Sequence, residues 1–516
     1  MPNLLLPLPV CDADGQINVK LSSIGRTNRI CSKEEETYIR NILLAAQQHR
    51  KEEFMDLIGR CKVALAPHKK LPPDVLRSIF HFCNEGEMKF PLSKRGVLRI
   101  THVCSAWRQL ALETPSLWSG VRILLSSTDR SRHYQALSSA RQWLARAKDM
   151  PRSLFIQLTW LDSYDDPHLH DVWEQILKFM ALYRLRDLRL VYPIDHLPLR
   201  LPDHAWPSIE RLHLSGNDTV LNSSAKSLFS HFGTVSNLKH FEMSGGYNFH
   251  GLDNVVRWHQ LRTLDFRQCE VTPSSCLNVL RQCPLLESCH LSLRKEPSFV
   301  SVVTSGEEKI VLANMDLLWL VFRDGSVASA FLQPLVIPNI TTFFLWIECR
   351  SRGCTQLNCG MPALIGVIQR SAGMRHIHYL SIHTSLLLDV GILLELLPSL
   401  ERISIESGHF TDNAIEWLSS GKIGPRLWEI SSARMHDAAD KILSMVESRY
   451  QTATKSSDIE QIESGLRPFS SVSIPCRVAV KSSRSYRRRI EYLSMCNVDV
   501  WLGQDFKSED EYDDEY

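Results

Sequence analysis

The amino-acid sequence predicts a mixed α+β fold, in which a small three-helix module precedes a long, irregular α/β solenoid. An apolar-x-x-apolar-x-apolar pattern recurs ten times between residues 185 and 432, with 23 to 37 residues between successive copies. Periods of this length are typical of repeat architectures. Upstream, residues 71–118 carry three short helical patterns of apolar residues. The chain has 516 residues, 44% hydrophobic and 22% charged, so it can bury a large core.

Composition and charge exclude several classes of protein. The chain has 59 Lys and Arg against 57 Asp and Glu, a net charge of +2, which disfavours a dedicated nucleic-acid binder. No apolar run approaches the roughly 18 residues of a membrane span. The opening MPNLLLPLPV lacks the basic start of a secretion signal. The fourteen cysteines are scattered without a Cys-x-x-Cys pair, so we expect reduced thiols and a cytoplasmic or nuclear location.

The N-terminal region divides into a tail and a helix. Residues 1–31 show no sustained periodicity, so we expect a disordered tail. Ser32 precedes Glu35 by three positions, which is typical of a capping box at a helix start. Apolar residues then follow helical spacing as far as Leu65, and Pro67 stops the pattern. The sequence therefore predicts an N-terminal helix over 32–66.

Residues 67–125 predict a compact module of three short helices. Pro72 and Pro73 suit a helix start, and Asp74 places a negative charge at the positive end of the helix dipole. Gly86 ends this helix, a loop over 86–93 follows, and apolar spacing predicts further helices over 97–104 and from Trp107 to Thr114-Pro115. Three such helices cannot bury all their apolar side chains, which indicates a docking surface.

This segment resembles the F-box, particularly its fungal-type form. The matching residues are Leu71, Pro72, Leu76, Ile79, Phe80, Val103, Cys104, Trp107, Arg108, Thr114, Pro115, Leu117 and Trp118. Asp74 stands where glutamate is usual, and the 84–95 loop is long for the family. The resemblance implies a Skp-type adaptor and a cullin complex as partners. It assigns adaptor binding to Leu71, Pro72, Val75, Leu76, Ile79, Phe80, Val103, Trp107, Leu117 and Trp118.

The repeats predict one strand each. Their copies are Leu185/Leu188/Leu190, Ile209/Leu212/Leu214, Leu238/Phe241/Met243, Leu261/Leu264/Phe266, Leu286/Cys289/Leu291, Leu317/Leu320/Phe322, Ile340/Phe343/Leu345, Ile377/Leu380/Ile382, Leu400/Ile403/Ile405 and the degenerate Leu427/Ile430/Ser432. The spacing resembles that of leucine-rich repeats, although the consensus Asn or Cys survives only as Asn217 and Cys269. We therefore expect a divergent solenoid over 126–450. Helices are predicted over 225–232, 276–283, 362–370, 390–397 and 411–418, and earlier strands over 121–125 and 154–158.

After residue 450 the pattern fades. The polar stretch 451–465 predicts a loop within an irregular capping segment, 451–504, in which 472–480 is a candidate last strand. Residues 505–516 are strongly acidic, so we expect a disordered tail. Arg484, Arg487, Arg488 and Arg489 form the one basic cluster of the chain, for which a solvated face or pairing with the acidic tail is favoured over nuclear import or phosphate contact.

Signals of catalysis or metal binding are weak. The sequence has no nucleophile elbow, Walker loop, zincin motif or dinucleotide fingerprint, so we expect neither an enzyme nor a cofactor. Cys349, Cys354 and Cys359 near His376, His378 and His383 lack tight zinc-ligand spacing. Cys269, Cys276, Cys283 and Cys289 occupy apolar repeat positions and are expected in the core. Asp165-Asp166 before Pro167 is typical of a helix start.

Two functions stay open at this point. The resemblance implies a substrate-receptor subunit of a Skp–cullin–F-box ubiquitin ligase, in which the repeats hold an unknown target protein. The alternative is a leucine-rich-repeat binding scaffold that has no ligase role and uses the helical module as a cap. Exposure of Leu76 and Ile79 would favour the first function, and their full burial the second. Any tryptophan on the strand-lined face is expected to anchor a partner.

Overall fold

A computed structural model describes most of the chain. It covers residues 32–49, 58–59, 61–62, 65, 71–83, 88–90, 97–126, 130–159, 167–192, 199, 206–216, 235–245, 256–294, 309–348, 361–384, 387–435, 439–455, 466–473 and 484–501. The chain forms two compact units, Met1–Leu188 and Arg189–Tyr516. The boundary predicted between the helical module and the repeats, at residues 125 and 126, lies within the first unit. The tails predicted at 1–31 and 505–516 lie outside the described residues.

The helices of the first unit begin with α1, Lys33–His49. The capping box is present: the Glu35 backbone N–H donates to Ser32 Oγ (3.2 Å), and the Ser32 N–H donates to Glu35 Oε2 (2.9 Å). The described helix ends at His49, short of the predicted 66; of residues 50–66 only 58–59, 61–62 and 65 are described. The three predicted helices that follow are α2 (Pro73–Cys83), α3 (Val97–Val103) and α4 (Ser105–Leu112), and a 3-10 turn spans Pro115–Trp118.

The same unit contains the first strands. They are β1 (Met88–Phe90), β2 (Gly120–Ser126), β3 (Arg152–Thr159) and the start of β4 (Leu185–Val191), interspersed with α5 (Arg130–Ala145) and α6 (Pro167–Met180). β1 pairs in parallel with β2, and β2 in parallel with β3. Residues 84–95 were expected to form a loop; this expectation is wrong for Met88–Phe90, which hydrogen-bond along β2. Asp165 and Asp166 lie outside the described residues, directly before α6.

The second unit is built on a parallel sheet. Its strands are β5 (Arg211–Ser215), β6 (His240–Ser244), β7 (Thr263–Val271), β8 (Ser288–Leu293), β9 (Ile310–Val311), β10 (Leu317–Phe322), β11 (Leu335–Val336), β12 (Thr342–Ile347), β13 (Tyr379–Thr384), β14 (Leu388–Asp389), β15 (Arg402–His409), β16 (Glu429–Met435), β17 (Ser471–Ser473) and β18 (Asp499–Trp501). The sheet runs β5-β6-β7-β8-β10-β12-β13-β15-β16-β17-β18; β14 pairs with β15, and β9 pairs separately with β11. A strand is therefore present at every predicted copy from Ile209 to Ser432.

Helices connect these strands, and four of them overlap the predicted ranges 276–283, 362–370, 390–397 and 411–418. The helices are α7 (Pro273–Arg281), α8 (Ala328–Leu332), α9 (Met361–Arg370), α10 (Val390–Leu396), α11 (Asp412–Ser420), α12 (Ala439–Lys455) and α13 (Arg484–Met495). Residues 225–232 and Asn217 lie outside the described residues. The apolar positions of the copies are buried, as at Leu286, Cys289 and Leu291, except Leu317, which is half-buried because it pairs with Ser288, two residues after Leu286. Cys269, at a consensus position, donates its thiol to the Met243 carbonyl on the neighbouring strand (3.1 Å).

Regular structure continues past residue 450. The expected loop at 451–465 is wrong over its first five residues, because α12 extends to Lys455. Of the candidate last strand at 472–480, only the start is described as β17, and β18 then adds a further parallel strand to the sheet. The basic cluster lies on α13, where Arg489 pairs with Asp440 (3.0 Å) and Glu447 (2.7 Å) of α12.

A fully buried arginine joins α12 to the end of α11. Arg449 has no ion-pair partner among the described residues, and burial lowers its pKa to about 10, so it stays protonated at neutral pH. Its guanidinium lies 4.6 Å from the Phe469 ring centroid. It donates to five backbone carbonyls, those of Leu418, Gly424, Pro425, Leu427 and Arg467, at 2.8–3.0 Å. Arg449 thereby adds a donor to carbonyls at the end of α11 and in the following turn, three of which, those of Leu418, Gly424 and Pro425, also accept a backbone N–H.

Candidate docking surfaces

Helix α2 has one buried face and one apolar face exposed to solvent. Leu76 and Phe80, four residues apart, point into the unit and are 8% and 0% exposed. Val75, Ile79 and Phe82 follow i, i+4, i+7 spacing on another face; Val75 is 44% and Phe82 78% exposed, and Ile79 is half-buried. We call these three residues the α2 stripe. An exposed apolar stripe on a short helix is unusual for a surface in contact with water alone.

The interior of the module is held by two tryptophans. Phe80 and the half-buried Trp107 place their ring centroids 5.0 Å apart. Trp118, 1% exposed, donates from Nε1 to the Ala111 carbonyl (2.7 Å), and its ring lies 4.5 Å from that of Trp143 on α5. The side chains that the resemblance assigns to adaptor binding therefore divide: those of Leu76, Phe80, Leu117 and Trp118 lie inside the unit and support its surface from below.

The other predicted residues lie nearer the surface. Leu71 is half-buried, Pro72 is exposed and Val103 is 50% exposed. Phe82 and Leu112, the latter 43% exposed, were not among the predicted site residues. The i, i+7 relation to Val75 is the signal that identifies Phe82 on the stripe. The exposure of Leu76 and Ile79 was expected to distinguish the ligase function from the scaffold function. It does not decide between them, because Leu76 is buried and Ile79 is partly accessible.

Polar contacts fix the helices beneath this surface. Arg77 pairs with Asp74 at 2.7 Å near the start of α2. Arg108, part of the predicted motif, donates from Nε to the Thr101 carbonyl (2.9 Å) and so joins α4 to α3. His81 and Ser116 are 3.1 Å apart. None of these contacts involves a residue of the α2 stripe.

Cysteine exposure distinguishes the stripe from the core. Cys83, next to Phe82, is exposed, whereas Cys269, Cys276, Cys283 and Cys289 are buried as predicted. Burial raises the pKa of Cys283 to about 12 and that of Cys289 well above its ordinary value. Thiolates react and thiols do not.

We therefore expect iodoacetamide at pH 7.5 to alkylate Cys83 rapidly and the four buried cysteines of the second unit at least tenfold more slowly. Peptide mass spectrometry of the native chain measures each rate, with the urea-unfolded chain as the control in which the rates converge. Rapid native alkylation of Cys283 or Cys289 would contradict the described core.

A second surface lies on the sheet of the second unit, on the face opposite its buried side chains. One row of residues in register crosses ten strands: His213, Glu242, Asp265, His290, Trp319, Phe344, Ser381, Ser404, Ser431 and Ser473. The row changes character along the sheet, from charged and imidazole groups through aromatic rings to serines. We call it the central row.

Aromatic rings on this face contact one another across strands. Trp319 stacks on Phe344 (centroids 4.3 Å apart), and Phe344 meets the edge of Tyr379 (5.1 Å). Trp346, 40% exposed, stacks on His383 at 5.1 Å. Tryptophans at strand positions were predicted to anchor a partner if they reached this face, and Trp319 and Trp346 do reach it.

Charged groups on the neighbouring strands are paired. His213 Nδ1 lies 2.8 Å from Glu242 Oε2, and this hydrogen bond lowers the pKa of Glu242. Asp265 lies 2.7 Å from Arg267 and 3.3 Å from His290, yet burial lowers the pKa of His290. The imidazole beside Trp319 is therefore neutral at pH 7.

Other chemistry is sparse in the described part of the chain. It contains no group of three or more His, Cys, Asp or Glu placed to hold a metal ion. Cys349, Cys354 and Cys359 lie outside it, while His378 is 3.7 Å from Glu401. None of the described helices combines the length and the apolar composition needed to cross a membrane.

Comparison with known families identifies the helical module. The F-box-like family matches residues 68–123, which include the α2 stripe, α3, α4 and the turn at Pro115–Trp118. No curated protein matches the chain. The chain thus contains an F-box-like domain near its N-terminus, together with a mixed α/β architecture whose sheet is long, parallel and open.

Proposed function

We propose that this protein is a non-catalytic substrate receptor of a Skp–cullin–F-box ubiquitin ligase, with a fungal-type F-box and divergent leucine-rich repeats. The observation that carries the proposal is the α2 stripe, an apolar surface exposed within the F-box-like domain. A Skp-type adaptor would cover this stripe and link the chain to the cullin. We also propose that the protein is located in the cytoplasm or nucleus, where ubiquitin ligases act.

Burial of the α2 stripe alone does not supply enough free energy for stable adaptor binding. Burying one such side chain contributes about 1.5–3 kcal/mol, so three contribute roughly 5–9 kcal/mol before costs. Association itself costs about 4–15 kcal/mol. Exposed Val103 and Leu112, on α3 and α4, supply further apolar surface. We therefore include both residues in the adaptor-binding surface, while Phe80, Leu117 and Trp118 hold its shape.

The second unit would bind the target protein on the exposed face of its sheet. A parallel sheet built from successive repeats presents an extended surface that suits protein recognition. Holding the target beside a ubiquitin-charged enzyme raises the effective concentration of the reacting groups, so this chain needs no catalytic residue. The aromatic rings of Trp319, Phe344 and Trp346 support this assignment, because aromatic side chains dominate binding energy at interfaces.

Charge on the α2 stripe is expected to abolish adaptor binding. In the variant Val75→Asp/Phe82→Asp, two carboxylates would be desolvated at the interface, which we expect to weaken binding at least 100-fold. Affinity for a purified Skp-type adaptor is measured by calorimetry on the full chain. Both substitutions lie at exposed positions, whereas Leu76→Asp would place a charge in the core and unfold the module.

The matched control is Leu182→Asp, since Leu182 is 57% exposed outside the F-box-like domain. It should bind the adaptor like the wild type. Circular dichroism confirms that all variants are folded. The proposal fails if the wild-type chain does not bind the adaptor, or if the double variant binds it equally well.

A further inference from the structure

A shallow trough runs along β15 beside the aromatic rings. Its floor consists of small side chains of the central row, the half-buried Ser404 and Ser431 on two neighbouring strands, while Ser381 on β13 is buried. Its wall is formed by the rings of Phe344, Tyr379, Trp346 and His383. In the register of the sheet, the small side chains on β15 lie beside the bulky side chains on β12 and β13. The surface is therefore lower over β15 than over β12 and β13.

The two ends of the trough carry opposite charges. Arg402 begins β15 and is exposed; its guanidinium lies 4.7 Å from the Tyr379 ring and 5.8 Å from that of Trp428, and it makes no ion pair with the described residues. Glu406 lies on the same face of β15, half-buried and without an ion pair or side-chain hydrogen bond in the described part of the chain. Arg402 and Glu406 are four positions apart on β15, a distance of roughly 13 Å.

The side chains of Arg402 and Glu406 are each placed to pair with a charged group of a partner. Stacking between two rings restricts the rotamers of Arg402 and leaves its N–H edges available for a carboxylate. Glu406 stands two positions after Ser404 on β15, and His383, stacked on Trp346, stands two positions after Ser381 on β13, so a cation arriving at Glu406 would meet a carboxylate near an aromatic face. Neither Arg402 nor Glu406 has an ion-pair partner among the described residues, although charged residues elsewhere on the sheet, such as Arg267 and Asp265 on β7, are paired.

From this arrangement we infer that the trough binds an extended segment of the target protein that carries an acidic and a basic residue flanking an apolar or aromatic side chain. The inference rests on the proposed function, which makes this face the target-binding surface. An extended segment advances about 3.3 Å per residue, so its acidic and basic residues stand four positions apart. The side chain between them packs on the rings of Tyr379 and His383 on the adjacent strand β13, which Phe344 and Trp346 support from β12, and this contact supplies the apolar part of the affinity.

The mixed charge argues against other classes of partner. A nucleic acid or an anionic membrane presents negative charge throughout and would be repelled by Glu406 and by Glu429, which stands beside Arg402 in register. A uniformly acidic segment meets the same repulsion. A segment with one charge of each sign satisfies both ends of the trough.

The test is selection from a displayed library of random nine-residue peptides on the full-length chain. We expect enriched peptides to carry Asp or Glu four positions from Lys or Arg, with an apolar or aromatic residue between them. On the variant Arg402→Glu the acidic preference should change to a basic one, and on Glu406→Arg the basic preference should become acidic. The best wild-type peptide should bind each of these variants, and Trp346→Ala, at least about tenfold more weakly.

The matched control is Lys422→Glu, since Lys422 also stacks on an aromatic ring, that of Trp417 (4.0 Å), but lies at the end of α11. It should enrich the same peptides as the wild type. The inference is overturned if no peptide is enriched over the empty support, or if Arg402→Glu and wild-type selections agree. Adaptor binding by the trough variants should equal that of the wild type, so failure here and failure of the proposed function are separately visible.

Discussion

Replacement of Arg449 by methionine is expected to lower the free energy of unfolding of the second unit by about 3–5 kcal/mol. Methionine fills much of the same volume but donates no hydrogen bond, so five backbone carbonyls each lose one donor, and among the described residues only those of Leu418, Gly424 and Pro425 keep a backbone N–H. These carbonyls belong to the end of α11, the following turn and the segment at Arg467. Urea unfolding followed by tryptophan fluorescence measures the loss.

Two variants test the cause of this loss. Arg449→Lys keeps the charge but cannot reach five carbonyls with one ammonium group, so we expect it to be destabilised as well, by less than Arg449→Met. Arg488→Met removes an exposed arginine from α13 and should change stability by at most about 0.5 kcal/mol. An Arg449→Met chain as stable as the wild type would show that the carbonyls do not depend on the guanidinium.

Replacement of Trp118 by alanine is expected to destabilise the first unit by about 3–5 kcal/mol. The substitution removes the hydrogen bond to Ala111, the contact with Trp143 and the ring beneath the Arg146 guanidinium. Hydrogen exchange of peptides from α4, β2 and α5 measures the loss locally. Tyr134→Ala is the control, because Tyr134 is 51% exposed on α5 and its removal leaves no cavity.

Adaptor binding separates the two roles that Trp118 can have. As a supporting residue, it should affect binding only through the folded fraction, so that affinity recovers at low temperature or in a stabilising osmolyte. The stripe variant Val75→Asp/Phe82→Asp should show the opposite result, with stability kept and binding lost. If the Trp118→Ala chain is stable but no longer binds the adaptor, Trp118 contacts the adaptor directly and is not only a supporting residue.

The helical module could be predicted from the sequence because its signals are local. The capping box at Ser32 and Glu35, the prolines before α2 and the spacing of apolar residues all act within a few positions. The family match confirms the F-box-like domain. Which side of α2 faces inward was harder to predict, because Leu76 and Val75 are adjacent and equally apolar. Their exposure is decided by α3 and α4, which lie further along the chain.

The strands of the repeats could also be predicted, since each copy repeats one apolar spacing. That they form leucine-rich repeats stays a prediction. The sequence did not predict β9, β11, β14 and β18, which have two or three residues each and too few positions to show a period. Nor did it predict the trough, because Arg402 and Tyr379 meet only through the register of β13 and β15. Arg449 carries no local signal either, since its acceptors lie 18 to 31 positions away.

Each main strand pairs with the strands of the preceding and following copies. This order determines where the chain can accept insertions during evolution. Spacing between copies varies from 23 residues to 37, yet β12 and β13, on either side of the longest interval, keep an unbroken register of six residue pairs. Extra residues are thus accommodated between strands without displacing any of them. A lineage can lengthen one connection and acquire new recognition sequence beside the aromatic face, while the order of the sheet and the position of every other side chain on it stay the same.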